Sequence, residues 1–253
     1  MSGPPVQMKA LFGVLVVWAA VSYGNQWLEW TNPVLLPTPT DVVRATADNL
    51  RGGELFRHAA VSLRRVVEGF VVAATAALAL GIFAGVCAPI RMALEPVIEF
   101  VRPIPPLAFL PMFLVWFGLG ETSKVAFIGY TTFFPMFVAI AASVLRVDVM
   151  LLRAAASLGA SRTALIRRVV LPASLPAIIV ALRLGFALGL FVIVGAEFMG
   201  TDVGLGYLIM EGRTFFNPAQ IVMGALVLGL LGSLVNTLLL AVERRLVRWR
   251  PSA

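Results

Sequence analysis

Long apolar runs separated by short polar stretches set the pattern of this chain. A helix that crosses a bilayer needs about 20 mostly apolar residues. The pattern predicts six such spans, over 11–27, 66–87, 104–119, 125–145, 173–198 and 221–242. The third is interrupted by Pro105, Pro106 and Pro111, so it is expected to kink or to re-enter the side it came from. Composition points the same way. The chain is 60% hydrophobic and 13% charged, with a mean hydropathy of +0.94, which excludes an ordinary soluble domain.

Charge fixes an expected orientation. With the N-terminus inside, twelve Lys and Arg residues fall on inner segments and seven on outer ones. The inner set includes Arg146, Arg153, Arg162, Arg167 and Arg168 in one segment, and Arg244, Arg245, Arg248 and Arg250 in the last. Basic residues favour the inner side, so both termini are expected there. Arg44, Arg51, Arg57, Arg64 and Arg65 in the first outer segment run against the trend, although Asp41, Asp48 and Glu54 lie among them. The net charge of +7 reads as topology and membrane-surface contact. No basic stripe is interleaved with exposed aromatics, which argues against nucleic acid.

Candidate chemistry is sparse. Cys87 is the only cysteine and His58 the only histidine, so no internal disulfide, no metal cluster and no catalytic constellation is expected. Lys9 precedes the first apolar run, but the small residues Ala19 and Ala20 lead into Val21-Ser22-Tyr23, a poor cleavage site. That run is expected to stay as an anchor. The segment 28–65 holds Pro33, Pro37 and Pro39 and then an amphipathic helix. Thr40 or Asp41 is its expected cap, with Val42, Val43 and Leu50 on its apolar face.

The most informative stretch is 151–176, a basic block between two apolar spans. Leu151, Ala155 and Leu158 recur at i, i+4 and i+7, one face of a short helix. Gly159 is the residue a helix C-terminus wants, because it takes positive φ without a Cβ clash. Ser161 can cap a second helix whose apolar face is Leu165, Ile166 and Val169. Pro172 is expected to stop that helix and to start the span that follows. An apolar knuckle ringed by Arg153, Arg162, Arg167 and Arg168 belongs in water, where it can enter a partner's groove.

This stretch resembles the coupling loop of ATP-binding-cassette importer permeases. The family pattern is EAA, three residues, G, nine residues, I, one residue, LP. Arg153-Ala154-Ala155 takes the EAA place, Gly159 the glycine, Val169 the isoleucine and Leu171-Pro172 the LP. Arginine replaces the acid and valine the isoleucine, so no salt bridge of the acid is carried over. Leu36-Pro37-Thr38-Pro39, Arg102-Pro103-Ile104-Pro105-Pro106-Leu107-Ala108, Trp116-Phe117-Gly118-Leu119-Gly120 and Gly204-Leu205-Gly206-Tyr207-Leu208-Ile209 are similar to the nitrate, taurine and sulfonate branch of these permeases. The resemblance covers essentially all of the chain after the first span.

The resemblance implies an all-α membrane protein of the type I importer permease architecture, with six transmembrane helices and a cytoplasmic coupling loop over 146–172. Residues 1–65 would form an anchor helix and outer connector, 66–242 the permease core, and 243–253 a basic cytoplasmic tail. It implies the permease subunit of a bacterial inner-membrane importer for a small oxyanion delivered by a binding protein. An aromatic carboxylate, bicarbonate or another small solute is the alternative cargo. The chain has no G-x-x-x-x-G-K-[ST] loop, and its only lysines are Lys9 and Lys124. ATP and magnesium are therefore expected in a partner ATPase and not here. The expected assembly is two copies of this chain, two ATPases and a substrate-binding protein.

The expected contact with the ATPase is made by Arg153, Ala154, Ala155, Leu158, Gly159, Ala160, Val169, Leu171 and Pro172. Arg183 lies deep in the fifth span, where an arginine is either paired between helices or used by an anion. Arg183 and Glu197 are the expected pathway residues, with Glu197 in an outer vestibule or capping the next loop. Ala181, Gly185 and Gly189 form a small-residue strip that is expected to serve close packing, within the chain or between two copies. A secondary transporter would want an inverted repeat and ionisable coupling sites; neither is visible. A membrane enzyme would want a reactive cluster, which one His and one Cys cannot supply.

Overall fold

The computed structural model describes residues 4–198 and 200–246, and among these the chain is helical with no strand. The helices are α1 (Pro4–Leu28), α2 (Pro39–Arg51), α3 (Glu54–Val86), α4 (Ala88–Val101), α5 (Leu110–Phe117), α6 (Glu121–Leu145), α7 (Val149–Ser157), α8 (Arg162–Leu165), α9 (Leu171–Phe198), α10 (Leu205–Thr214) and α11 (Pro218–Leu246). Short 3₁₀ turns cover Pro33–Leu35 and Pro106–Phe109, and a π-turn covers Ile166–Val170. Arg248 and Arg250 of the expected tail lie outside the described residues.

Four helical segments are long and apolar enough to cross a membrane: Glu54–Val86, Glu121–Leu145, Arg162–Phe198 and Pro218–Arg245. A fifth is possible where α4 and residues 106–117 pass the test together while bent by 85°. Among the described residues, four of the expected six spans pass by length and composition, or five with the bent pair. The first apolar run forms α1, Pro4–Leu28. The third expected span is the far half of the bent pair. Pro103, Pro105 and Pro106 lie in or beside the break, where proline removes donors and resists helix continuation.

Residues 1–61 and 202–229 form one compact unit. Its first helix is tied to the following segment by Trp18 Nε1 donating to Pro37 O at 3.2 Å and Tyr23 Oη to Thr40 Oγ1 at 3.1 Å. The cap of α2 is Thr38, two residues before the earlier of the expected ones. Thr38 Oγ1 accepts from Asp41 N, and Asp41 accepts from Thr38 N at 3.0 Å, a reciprocal capping box. Val42 is buried, whereas Val43 and Leu50 are exposed. His58 is buried, with Nδ1 accepting from Gly204 N at 2.8 Å and its ring stacked on Tyr207.

Residues 62–201 and 230–253 form the second unit. Its core comprises Ala73, Ala77, Met136, Phe137, Ile140, Ile178 and Ala181, from α3, α6 and α9. Small residues let these helices approach closely. Gly81-x-x-x-Gly85 of α3 lies on α6: a Cβ at Gly81 would stand 2.9 Å from Ile140 Cγ2, and one at Gly85 would overlap Val144. The strip on α9 does the same inside the chain. A Cβ at Gly185 would overlap Met136, one at Gly189 would stand 3.1 Å from Val66 Cγ1, and Ala181 is buried in the core. Ala181, Gly185 and Gly189 thus pack this chain against itself and are filled, which removes them as a face between copies.

Candidate functional site: the loop knuckle and the cavity above it

The loop that joins α6 to α9 begins at Asp148, whose carboxylate accepts from Met150 N at 2.8 Å and caps α7. At the other end of α7 the chain turns on Gly159, with φ of +80°. Ala160 N donates to Ala155 O at 3.1 Å and Gly159 N to Ala156 O at 2.9 Å. This is the paired 6→1 and 5→2 arrangement that closes a helix on a left-handed residue. Ser161 then caps α8 by accepting from Ala164 N at 3.3 Å. Both the glycine turn and the serine cap stand where the sequence placed them.

Leu158 sits at the apex and is 88% exposed. Leu151, Arg153 and Ala154 are exposed on α7, while Ala155 and Ala160 are half-buried. A concavity of about 500 Å³ lies at the knuckle, lined by Ala155, Leu158, Gly159, Ala164, Arg168 and Val169 among others.

Pro172 does not stop the helix. Leu171 N donates to Ile166 O, five residues back, so the chain passes from α8 through the π-turn into α9. Proline lacks the N–H that would bond residue 168, and the wider turn absorbs the missing bond. Leu171 is half-buried at the start of α9, and Pro172 faces the cavity described next.

Between α6 and α9, with contributions from the α4 end and from α11, lies an open cavity of about 1530 Å³. Its walls are mostly apolar, including Phe134, Val138, Ala142, Val180 and Leu184. It extends from Arg146 and Pro172, beside the loop, to Thr131 and Leu188, which lie about 24 Å further along their helices. Arg102, Arg146, Glu243 and Arg244 bring charge to it.

Arg183 does not present a free charge. Its Nη1 donates to Glu243 Oε2 of α11 at 2.9 Å, the interhelix pairing, which joins α9 to α11. Glu197 is not in a vestibule either. It is 1% exposed, and its carboxylate accepts from Arg65 Nη1 at 2.7 Å and from Ser62 Oγ at 2.8 and 2.9 Å. The position of Glu197 is structural, because a buried carboxylate persists only where donors surround it.

Sequence reasoning missed this cluster. Arg65 was one basic residue of the outer segment, yet it is 2% exposed. It joins α3 to α6 through Glu121 and to α9 through Glu197, and its Nη2 donates to Thr201 Oγ1 at 3.0 Å. The partners lie 56 and 132 positions away, a separation that leaves no local signal. Nearby in the same unit, Lys124 Nζ donates to the carbonyls of Leu119, Gly120 and Gly200 at 2.9, 3.2 and 3.0 Å. Arg64 also pairs with Glu68, one turn on, at 3.6 Å.

Comparison with known proteins agrees with this geometry. The family described as "Binding-protein-dependent transport system inner membrane component" matches residues 77–250. The chain is 34% identical to the taurine transport system permease protein TauC of Escherichia coli (strain K12), covering 96% of this chain and 90% of that one. It is 32% identical to the putative aliphatic sulfonates transport permease protein SsuC of Bacillus subtilis (strain 168), over 94% and 85%. It is also 32% identical to the nitrate import permease protein NrtB of Leptolyngbya laminosa, over 76% and 69%. Among solved structures, a chain of the inward-facing MetNI methionine ABC transporter shares the fold at a TM-score of 0.63 and 18% identity, covering 78% of this chain and 98% of that one. The chain therefore belongs to the family of binding-protein-dependent transport system inner membrane components.

Proposed function

We propose that this chain is the membrane permease of an ATP-driven importer for small sulfonates or kindred oxyanions, supplied by a separate binding protein. The observation that carries the reading is the knuckle at Leu158–Ser161. A highly exposed leucine is held at a left-handed glycine turn, between two short capped helices and beside a concavity. Such a surface suits a groove in a partner ATPase, which would supply the ATP and magnesium. The cavity between α6 and α9 is the proposed wall of the pathway, completed by a second copy of the chain. The relatives named for taurine, aliphatic sulfonates and nitrate support the cargo class. On this reading the loop and both termini face the cytoplasm of a bacterial inner membrane.

The test is reconstitution with the cognate ATPase and binding protein. Two permease copies and two ATPases should co-purify, and taurine uptake should require ATP. Leu158→Asp should leave the chain inserted and uncouple uptake from hydrolysis. Normal uptake in Leu158→Asp would move the ATPase contact elsewhere. Uptake that ignores ATP would remove the importer reading.

A further inference from the structure

The cavity carries a charge pattern that separates binding residues from silent ones. Four charged groups line it: Arg102 where α4 ends, Arg146 where α6 ends, and Glu243 with Arg244 on α11. Glu243 is already neutralised, since Arg183 Nη1 holds it at 2.9 Å. Among the described residues, Arg102, Arg146 and Arg244 have no carboxylate within ion-pair distance. The threonine and serine hydroxyls on the wall are engaged as donors. Thr131 donates to Phe127 O at 2.9 Å, Ser143 to Ile140 O at 2.7 Å and Ser174 to Val170 O at 2.8 Å. Donation along its own helix leaves a hydroxyl only acceptor capacity towards the cavity. An anion there has guanidiniums to bind, with Tyr130 also on the wall.

A preference for positive charge near the inner ends of spans explains the sign of these residues. It does not explain why three arginines face one cavity while the single acid beside them is cancelled. The rest of the lining is suited to a carbon chain, with Val138, Ala142, Val180 and Leu184 on the walls. A guanidinium fork matches the geometry of an oxyanion.

We infer that the cavity holds an organic oxyanion, a small alkylsulfonate, with Arg102, Arg146 and Arg244 on its head group and the apolar walls on its tail. Arg183 is a positioning residue that acts through Glu243: it removes a negative charge that would otherwise repel the anion. This inference rests on the importer reading and names the residues that select its cargo. It also ranks ligands. A longer alkylsulfonate binds better than a shorter one by up to about fourfold per buried methylene, and nitrate, with no tail, binds weakly.

The test uses the permease–ATPase complex in nanodiscs of zwitterionic lipid without binding protein, with radiolabelled ethanesulfonate as the probe and pentanesulfonate and nitrate as competitors. Arg102→Gln, Arg146→Gln and Arg244→Gln should each weaken ethanesulfonate binding about fivefold to tenfold, the loss of one charged hydrogen-bonding partner. Arg183→Leu should weaken it too, and Arg183→Leu/Glu243→Gln should restore it to within about twofold. A merely structural Arg183 predicts no such rescue. Pentanesulfonate should compete better than nitrate.

Binding that ignores Arg146→Gln and Arg244→Gln, or a double variant no better than Arg183→Leu, overturns the assignment. So does an arginine dependence seen only as loss of co-purifying anionic lipid, which would make this a headgroup site. ATP-driven taurine uptake by the wild-type complex is measured alongside. Its failure removes the importer reading, whereas normal uptake with arginine-independent ethanesulfonate binding removes this inference alone.

Discussion

Replacing Arg65 with leucine removes one cation from a buried junction of three helices. Arg65 is 2% exposed and Glu197 is 1% exposed. After the substitution, the Glu197 carboxylate loses the Nη1 donor at 2.7 Å and keeps Ser62 Oγ at 2.8 and 2.9 Å. Removing one partner of a buried pair costs about 3–5 kcal/mol, because the other charge stays behind without its counter-charge. Glu121 also loses its contacts, but its side chain is 46% exposed, and water takes over for under about 1 kcal/mol. The buried carboxylate therefore decides the total, about 3–5 kcal/mol against a usual stability of about 5–15 kcal/mol. Reversible unfolding of the purified chain in mixed micelles measures it. The double variant Arg65→Leu/Glu197→Leu removes both charges and should recover most of the loss. Arg64→Leu, at a position 56% exposed, should cost about 0.5 kcal/mol or less. A cost below about 1 kcal/mol for Arg65→Leu, or a double variant as unstable as the single one, would refute this account of the junction.

Gly159→Val has open space for its side chain but must hold φ near +80°. It should strain the knuckle by about 1–2 kcal/mol or more and lower receptor-stimulated ATPase and uptake without changing membrane insertion, while Gly159→Asn should be milder. Gly85→Val forces side-chain atoms into Val144 and should destabilise the α3–α6 contact by about 2 kcal/mol or more, read as a lower melting temperature. Thr38→Ala should cost about 1 kcal/mol at the start of α2, seen as faster amide exchange there. Hydrogen bonds from the Thr38 side chain and backbone hold the Asp41 carboxyl below its ordinary 3.8. The resulting stabilisation is present above about pH 4 and is lost as pH falls through the lowered value. Exchange of α2 amides at pH 6 and pH 3 would check this; equal protection at both would contradict it.

The longest apolar runs were legible because membrane crossing imposes a length and a composition on consecutive residues. The turn at Gly159 and the cap at Ser161 were legible because each depends on one residue's own backbone and its near neighbours. Helix α4 was not, since Pro89, Pro96, Arg91, Glu95 and Glu99 break the apolar run that signals a span. The run through Pro172 was hidden because a wider turn can satisfy what proline cannot donate. The Arg65–Glu197 pair and the Arg183–Glu243 pair were hidden for a different reason. Each joins residues far apart in the chain, and only packing brings them together. A rule about charge on membrane segments assigns such residues a side, never a partner.

The continuity of residues Arg162–Phe198 has a mechanical meaning. These 37 residues form one helical segment, about 55 Å of rod at 1.5 Å per residue. The rod begins at the knuckle and runs through the π-turn at Ile166–Val170 and past Pro176 without leaving the helix. A tilt of about 5° about Gly185 would move the Arg162 end by about 3 Å and the Phe198 end by about 2 Å. The rod bears on Met136 at Gly185, along its length, as a lever bears on a fulcrum. Motion of the Arg162 end would thereby reach the Phe198 end reversed in direction and reduced to about half.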